Sequence, residues 1–254
     1  MAVGHSHLLY RHGDSVIHRL PAHVKIVSLV TFALIVVATP PDRFWAFPVY
    51  AALLAVVAVL ARIPATFIAR RMVVEVPFVV CALLMPVVSS GERSDVLGIS
   101  LSDDGLLAGW NILAKGTLGV VASILLAATT EARALLVGLQ RLRLPNRLVE
   151  IAAFMVRYGD VVAGEMQRMR IARESRAFEA RHMGHLRVVS QGAGALFVRT
   201  YERGERVHLA MLARGYAGAM PPVRTEPVSA RGWLAAAALP LAALIVAIAG
   251  GVWA

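Results

Sequence analysis

Two arginine residues are predicted at the ends of helical segments, each between two small residues. The two tripeptides are Ser175, Arg176, Ala177 and Ala213, Arg214, Gly215. Gly215 can adopt the left-handed backbone conformation that ends a helix, which leaves Arg214 in the last turn, beside the negative end of the helix dipole. A guanidinium group placed there can form two parallel hydrogen bonds with a carboxylate on another protein. One such ending is an ordinary cap with a solvated arginine, but two on neighbouring helices favour docking onto a partner.

The helices that end in these arginines are predicted in the region 131–231, which is dense in arginine and contains no membrane span. Pro145 is expected at the first helical position of one helix, and the sequence then stays free of proline and helically periodic to about residue 178. The second helix is predicted over 194–214. Residues 182–185 are expected to join the two.

Motifs for catalysis are absent from the sequence. It contains no G-x-x-x-x-G-K-[ST], no H-E-x-x-H and no G-x-S-x-G. We also expect no Asp, Glu, Lys or Arg in the middle of a membrane span, where ionisable residues usually mark ion paths or proton relays. The chain is therefore predicted not to be an enzyme, and any transport in which it takes part must draw its energy from a partner.

The N-terminal segment is rich in histidine, which raises the question of a metal site. His5 and His7 form an H-x-H pair, and neutral imidazole binds transition-metal ions. No carboxylate or cysteine completes a defined ligand spacing there, so a solvated tail with a few local caps is the preferred interpretation. Metal binding by His5 and His7 remains open as the alternative.

The composition indicates a membrane protein. Of 254 residues, 58% are hydrophobic and 17% are charged, against nearly half and about a quarter in soluble domains. The apolar residues collect in blocks near the length needed to cross a bilayer. We predict an all-α polytopic protein with about five transmembrane helices and two long cytoplasmic helices. The predicted spans are 24–38, 45–61, 72–88, 110–130 and 232–253.

The distribution of charge predicts the orientation. Basic residues precede the first span and lie between the second and third, whereas the loop between the third and fourth is acidic. The positive-inside rule then places the N-terminus and region 131–231 in the cytoplasm. It also accounts for the net charge of +10 without nucleic acid. Lys25 is expected to extend to the membrane interface. The predicted divisions are 1–130, 131–231 and 232–254.

The twin arginine motifs make the chain resemble a known family, the transmembrane T component of energy-coupling factor transporters. Ala213, Arg214 and Gly215 match one family motif, and Ser175, Arg176 and Ala177 match the other, with alanine where the family has glycine. The cobalt type, CbiQ, is suggested by the segment from Gly13 through Lys25 and by 154–160. The resemblance covers nearly the whole chain.

The resemblance implies partners that the chain itself does not contain. The six motif residues would couple the chain to ATP-binding-cassette ATPases of CbiO type, which bind ATP and Mg²⁺. Co²⁺ would be bound by a CbiM-like membrane subunit with a CbiN-like helper, in the plasma membrane of a prokaryote. The chain would hold no cofactor of its own. The alternatives are a T component for nickel, biotin or several vitamins, and a standalone membrane enzyme or regulator.

Overall fold

The structure, a computed structural model, describes residues 10–89, 93–96, 99–176, 186–218 and 229–249. The internal contacts divide the chain into two compact units. We call Leu139–Thr225 the arm unit, and Leu9–Gly138 together with Glu226–Ala254 the bundle unit. The predicted divisions at 130/131 and 231/232 concern the side of the membrane on which each segment lies, and they stay predictions.

Helices account for most of the described residues. The helices up to residue 88 are α1 (Val16–Arg19), α2 (Ala22–Ala38), α3 (Ala46–Leu60), α4 (Ala65–Arg71) and α5 (Val76–Val88). A 3₁₀ turn, Met72–Glu75, joins α4 to α5. The later helices are α6 (Asp103–Thr129), α7 (Ala132–Arg141), α8 (Asn146–Glu174), α9 (Leu186–Leu212) and α10 (Ala230–Ala249).

A short antiparallel hairpin precedes α6. Its strands are β1 (Arg93–Val96) and β2 (Ile99–Ser102), and Val96 pairs with Ile99. Ser102 then caps α6, because its Oγ accepts a hydrogen bond from the backbone N–H of Gly105. Asp103 and Asp104 fill the first turn of that helix, where negative charge is favoured by the helix dipole. Two of the acidic residues that the sequence places in a loop, Asp103 and Asp104, therefore begin a helix.

The core of the bundle unit is apolar and aromatic. Tyr50 is completely buried and contacts the rings of Phe32 and Phe47 edge-on. Its hydroxyl lies 3.0 Å from the hydroxyl of Thr39 at the end of α2, so the polar end of the ring is also satisfied. Leu118 and other residues of α6 complete this cluster.

Two glycines of α6 let the helix approach α5 closely. Gly105 and Gly109 are four residues apart, as in the G-x-x-x-G pattern of packed membrane helices. A Cβ atom at Gly105 would lie 2.6 Å from the carbonyl oxygen of Met85, and one at Gly109 would lie 2.6 Å from that of Ala82. Any larger residue at either position would push α5 and α6 apart.

Three helical segments of the described chain are long and apolar enough to cross a membrane, namely Ala65–Val88, Asp103–Thr129 and Gly232–Ala249. Two shorter apolar helices, α2 and α3, contain 17 and 15 residues. The all-α membrane class is thereby confirmed. The count of five spans stays a prediction.

The structure corrects the expectation that no charged residue lies within a span. The third apolar segment begins at Ala65, just after Pro64, and not at residue 72. Glu75 therefore lies near the middle of the segment, where it is buried and accepts a hydrogen bond from the hydroxyl of Thr117. Lys115 also lies near the middle of α6, because that helix begins at Asp103. The absence of intramembrane charges consequently no longer argues against an ion path.

Lys25 was expected to extend to the membrane interface, and that expectation stays a prediction. In the structure the residue is only 8% exposed, and its ammonium group donates to acceptors inside the bundle unit. The sequence places Lys25 in the first turn of an apolar helix, which is typical of a snorkelling lysine. Acceptors from the distant end of α6 are what hold it inward.

The arm unit consists mainly of α8 and α9. The sequence predicted the first from Pro145 to about residue 178, and α8 runs over Asn146–Glu174. The second was predicted over 194–214, but α9 begins at Leu186 and ends at Leu212. Residues 182–185, predicted to join them, lie outside the described residues.

Candidate partner-docking site

The end of α9 is built around Gly215. Its φ of +84° is left-handed, as the sequence predicted. The N–H of Tyr216 donates to the carbonyl of Met211, and the N–H of Gly215 donates to that of Leu212, which together form a Schellman motif. Arg214 is the residue at which the helix gives way to this turn. Its backbone position is therefore fixed by two hydrogen bonds and by the one residue type that tolerates the turn.

The end of α8 carries Arg176. Ser175 caps the helix, because its Oγ donates to the carbonyl oxygens of Ile171 and Ala172, and the N–H of Arg176 donates to that of Arg173. Arg176 therefore directly follows the last turn, as predicted. Ala177, the third residue of the motif, lies outside the described residues.

Both motif arginines are exposed. Neither forms an ion pair with a carboxylate in the described part of the chain. Other arginines nearby behave differently: Arg168 and Arg199 contact Glu165, and Arg170 pairs with Glu174 one turn away. Arg176 and Arg214 thus present charge at a helix end with no carboxylate partner among the described residues, which suits binding to an external carboxylate.

The two arm helices run antiparallel. Arg199 of α9 donates to Glu165 of α8 at 2.6 Å. Further along α8, Gly192 lets α9 approach Arg173: a Cβ atom at Gly192 would lie 2.6 Å from the Arg173 Nη1 atom. Because the later part of α8 faces the earlier part of α9, the two arginine-bearing ends point in opposite directions. From the helical rise they lie on the order of 35 Å apart.

Glu165 holds the crossing point. It accepts hydrogen bonds from Arg168 at 2.7 Å and from Arg199 at 2.6 Å. These bonds favour the ionised carboxylate, so Arg168 first and Arg199 second lower the pKa of Glu165 below its usual value. The cluster is largely exposed, so its contribution is small and sensitive to salt.

A cavity of about 500 Å³ separates the other halves of α8 and α9. The apolar and aromatic residues around it include Met155, Tyr158 and Met211. Tyr216 closes one end, where its hydroxyl donates to Glu150 at 3.1 Å. Burial and then this hydrogen bond raise the pKa of Tyr216. The helix end that carries Arg214 is therefore tied to the start of α8.

The histidines do not form a site in the described part of the N-terminal segment. His18 accepts from or donates to Ser15 Oγ at 2.7 Å through Nδ1, and its Nε2 lies 3.1 Å from the carbonyl oxygen of Arg11. Burial lowers the pKa of His18. Both ring nitrogens of His18 are thus occupied by local hydrogen bonds. His5 and His7 lie outside the described residues, so the solvated tail stays the prediction and metal binding there stays the alternative.

The chain is similar to membrane components of transporters along most of its length. A family described as CbiQ, cobalt transport protein, matches residues 13–226. The cobalt transport protein CbiQ of Rhodobacter capsulatus is 30% identical over 215 residues, which are 82% of this chain and 84% of that protein. The energy-coupling factor transporter transmembrane protein EcfT of Bacillus selenitireducens is 26% identical over 224 residues, 82% of each chain.

A third relative is described as a fusion of two transporter components. The putative fused cobalt transport protein CbiMQ of Methanocorpusculum labreanum is 29% identical over 109 residues, which are 43% of this chain and 18% of that protein. With the all-α membrane fold, these similarities define a transmembrane component of an energy-coupling factor transporter. The chain belongs to the CbiQ cobalt transport protein family. The resemblance drawn from the twin motifs is thereby confirmed.

Proposed function

We propose that this chain is the energy-coupling subunit of a cobalt importer, and that it passes conformational change from ATPase subunits to a substrate-binding membrane subunit. The observation that carries the proposal is the pair of exposed arginines, Arg176 and Arg214, at the capped ends of two antiparallel helices. Two separated cationic helix ends suit two separated docking sites, such as those of an ATPase pair.

The partners are inferred from the names of the relatives and from the resemblance. ATP and Mg²⁺ would be bound by CbiO-like ATPase subunits, and Co²⁺ by a CbiM-like subunit with a CbiN-like helper. The fused CbiMQ relative supports the CbiM-like partner, because its name joins both components in one chain. The motif residues 175–177 and 213–215 would make the ATPase contacts, on the cytoplasmic side of a prokaryotic plasma membrane.

The docking role is tested by replacing each arginine with alanine and measuring association with the ATPase subunits. If each guanidinium forms a desolvated, charge-assisted pair, Arg176→Ala or Arg214→Ala should weaken association by about 2–5 kcal/mol. The matched control is Arg170→Ala on α8, because Arg170 is 67% exposed and pairs with Glu174 of its own helix. That change should cost no more than about 1 kcal/mol. Normal assembly of both motif variants would contradict the proposal.

The orientation has its own test. In a Cys81→Ser background, a cysteine introduced at exposed Gly194 of α9 should react with an impermeant maleimide only after the cells are opened. Reaction in intact cells would place the arm unit outside, beyond the reach of any ATPase.

The transported substrate is tested by uptake. The assembled complex in proteoliposomes should accumulate radioactive Co²⁺ when ATP is supplied on the side of the arm unit. Uptake of Ni²⁺ or biotin without Co²⁺ would instead favour a T component for another substrate. The EcfT relative is consistent with that alternative, because its name specifies no substrate.

A further inference from the structure

The buried ammonium group of Lys25 holds the end of α6. Its Nζ donates to the carbonyl oxygen of Thr129 at 2.9 Å and to the hydroxyl of Thr130 at 3.1 Å. A third acceptor, the carbonyl oxygen of His18, lies at 3.4 Å. The last carbonyls of a helix lack partners within it and carry its negative dipole end, so a cation there is favoured on both counts.

A backbone contact completes this cap. The N–H of Arg11 donates to the carbonyl oxygen of Ala128 at 3.0 Å, one residue before the carbonyl that Lys25 holds. After Thr130, whose backbone is extended, the chain enters α7. The cap therefore fixes the direction in which the chain leaves α6.

Helix α7, which follows this cap, also contacts the start of α2. Gly138 of α7 lies against the first turn of α2: a Cβ atom there would lie 2.8 Å from the backbone nitrogen of His23 and 3.1 Å from the carbonyl carbon of Ala22. Only glycine fits this approach. Gly138 is also the last residue of this part of the bundle unit, because the arm unit begins at Leu139.

The returning chain is held by the same two turns of α2. The ring of Trp233 in α10 lies edge-on to that of His23, with centroids 5.9 Å apart. One turn later, the hydroxyl of Ser28 donates to the carbonyl oxygen of Ala236 at 2.6 Å. The segment from His23 to Ser28 thus contacts both the outgoing connection and the returning helix.

We infer that the first two turns of α2 act as an anchor for both covalent connections to the arm unit, with Lys25 and Gly138 as positioning residues for energy coupling. This inference rests on the proposed function. A movement of the arms can reach the bundle through these connections only if their attachment points do not yield. The anchor is made of a buried charge and a close backbone approach, both of which resist displacement.

The experiment uses the complete complex in proteoliposomes and records ATP hydrolysis and Co²⁺ uptake in the same sample. Lys25→Met removes the charge and keeps a similar length. Association with the ATPase subunits should persist, because Lys25 belongs to the bundle unit, whereas Co²⁺ taken up per ATP hydrolysed should fall severalfold, because the end of α6 would no longer be held by the ammonium group.

Gly138→Ala provides the second variant, because its Cβ atom would displace the backbone of α2. The matched control is Gly119→Ala in α6, where nothing lies within 4 Å of the added atom. Gly138→Ala should lower uptake per ATP, and Gly119→Ala should leave it unchanged. If Lys25→Met does not accumulate in the membrane, Gly138→Ala alone decides the matter.

The outcomes separate this inference from the proposed function. Normal uptake per ATP in Gly138→Ala would overturn the anchor, as would a loss of ATPase association equal to the loss of uptake, because the damage would then lie in the fold. In either case, weak association of Arg176→Ala and Arg214→Ala would leave the proposed function standing. Normal assembly and uptake by those two variants would refute the proposed function itself.

Discussion

The bundle unit and the arm unit achieve order in different ways. In the bundle unit, Tyr50 and Phe32 are fully buried, and hydrogen bonds join residues more than 100 positions apart in the sequence, as between Lys25 and Thr129. In the described part of α8 and α9, only Val149 is buried. The hydrogen bonds of Arg199 with Glu165 and of Tyr216 with Glu150 are exposed or half-exposed. The bundle carries its own core, whereas the arms present apolar and basic surface that a partner can cover.

This comparison predicts that equal truncations have unequal costs in the two units. Tyr50→Ala should lower the free energy of unfolding by about 3–5 kcal/mol, because it leaves a cavity in the aromatic core and removes the contact between the Tyr50 and Thr39 hydroxyls. Tyr201→Ala on α9, whose ring is 59% exposed, should change it by less than about 0.5 kcal/mol. Thermal unfolding in detergent, followed by tryptophan fluorescence, measures both. Equal losses would show that the arms have a core of their own.

The buried carboxylate of Glu75 sharpens the comparison. Thr117→Val removes its hydroxyl donor on α6, and we expect a loss of about 1–2 kcal/mol, because a buried carboxyl oxygen loses its hydrogen-bond donor. The control is Ser123→Ala on the same helix, whose side chain is exposed. In a double-mutant cycle, Glu75→Leu, which removes the acceptor, should remove most of the effect of Thr117→Val. Additive effects would mean that the two residues act independently.

Replacing glycines in and just after α9 should change the stability of that helix by a smaller amount, with opposite signs at Gly215 and Gly194. Gly215→Ala should destabilise the helix end by about 1 kcal/mol, because alanine disfavours its positive φ. Gly194→Ala, inside the helix and in open space, should stabilise it by up to about 1 kcal/mol. Hydrogen exchange of residues 209–216 measures the first change, and that of 190–200 measures the second. Slower exchange in Gly215→Ala would contradict the Schellman cap.

The smallest effect is expected from pH at the arm crossing. The folded pKa of Glu165 is lowered, so its stabilising contribution is fully present above the ordinary value of 4.5 and is lost as pH falls through the lower folded value. The interhelical distance should therefore widen only in acid, by an amount limited by solvent screening. Spin labels at Ala172→Cys and Gly194→Cys, with Cys81→Ser, report it. Glu165→Gln should abolish the pH dependence, and Glu174→Gln should retain it.

Local sequence signals were sufficient for the arm helices. The left-handed Gly215 follows from residue type and position alone and is present in the structure. Pro145, expected at the first helical position, precedes it by one residue, because α8 begins at Asn146. The sequence predicted the start of α9 at residue 194, whereas the helix begins at Leu186. The predicted start is too late because Gly192 and Gly194 weaken a helical pattern. In the structure Gly192 has a packing reason, the close approach of Arg173.

Long-range contacts could not be predicted in the same way. Lys25 is held inward by Thr129 and Thr130, which no pattern near Lys25 reveals. Glu75 was placed at a membrane edge because Arg70 and Arg71 precede it, yet the helix continues through them from Ala65. A hydropathy window ends at charged residues, whereas a helix ends where its backbone hydrogen bonds end. The docking role of Arg176 and Arg214 stays a prediction.

The position of the Glu165–Arg199 contact makes the two arms levers of unequal length. By the helical rise, Arg176 lies about 16 Å beyond this pivot along α8, and Arg214 lies about 22 Å beyond it along α9. The same displacement at both tips would therefore rotate α8 through a wider angle than α9. Two identical ATPase subunits that move by the same distance would therefore rotate α8 and α9 by unequal angles about the Glu165–Arg199 contact.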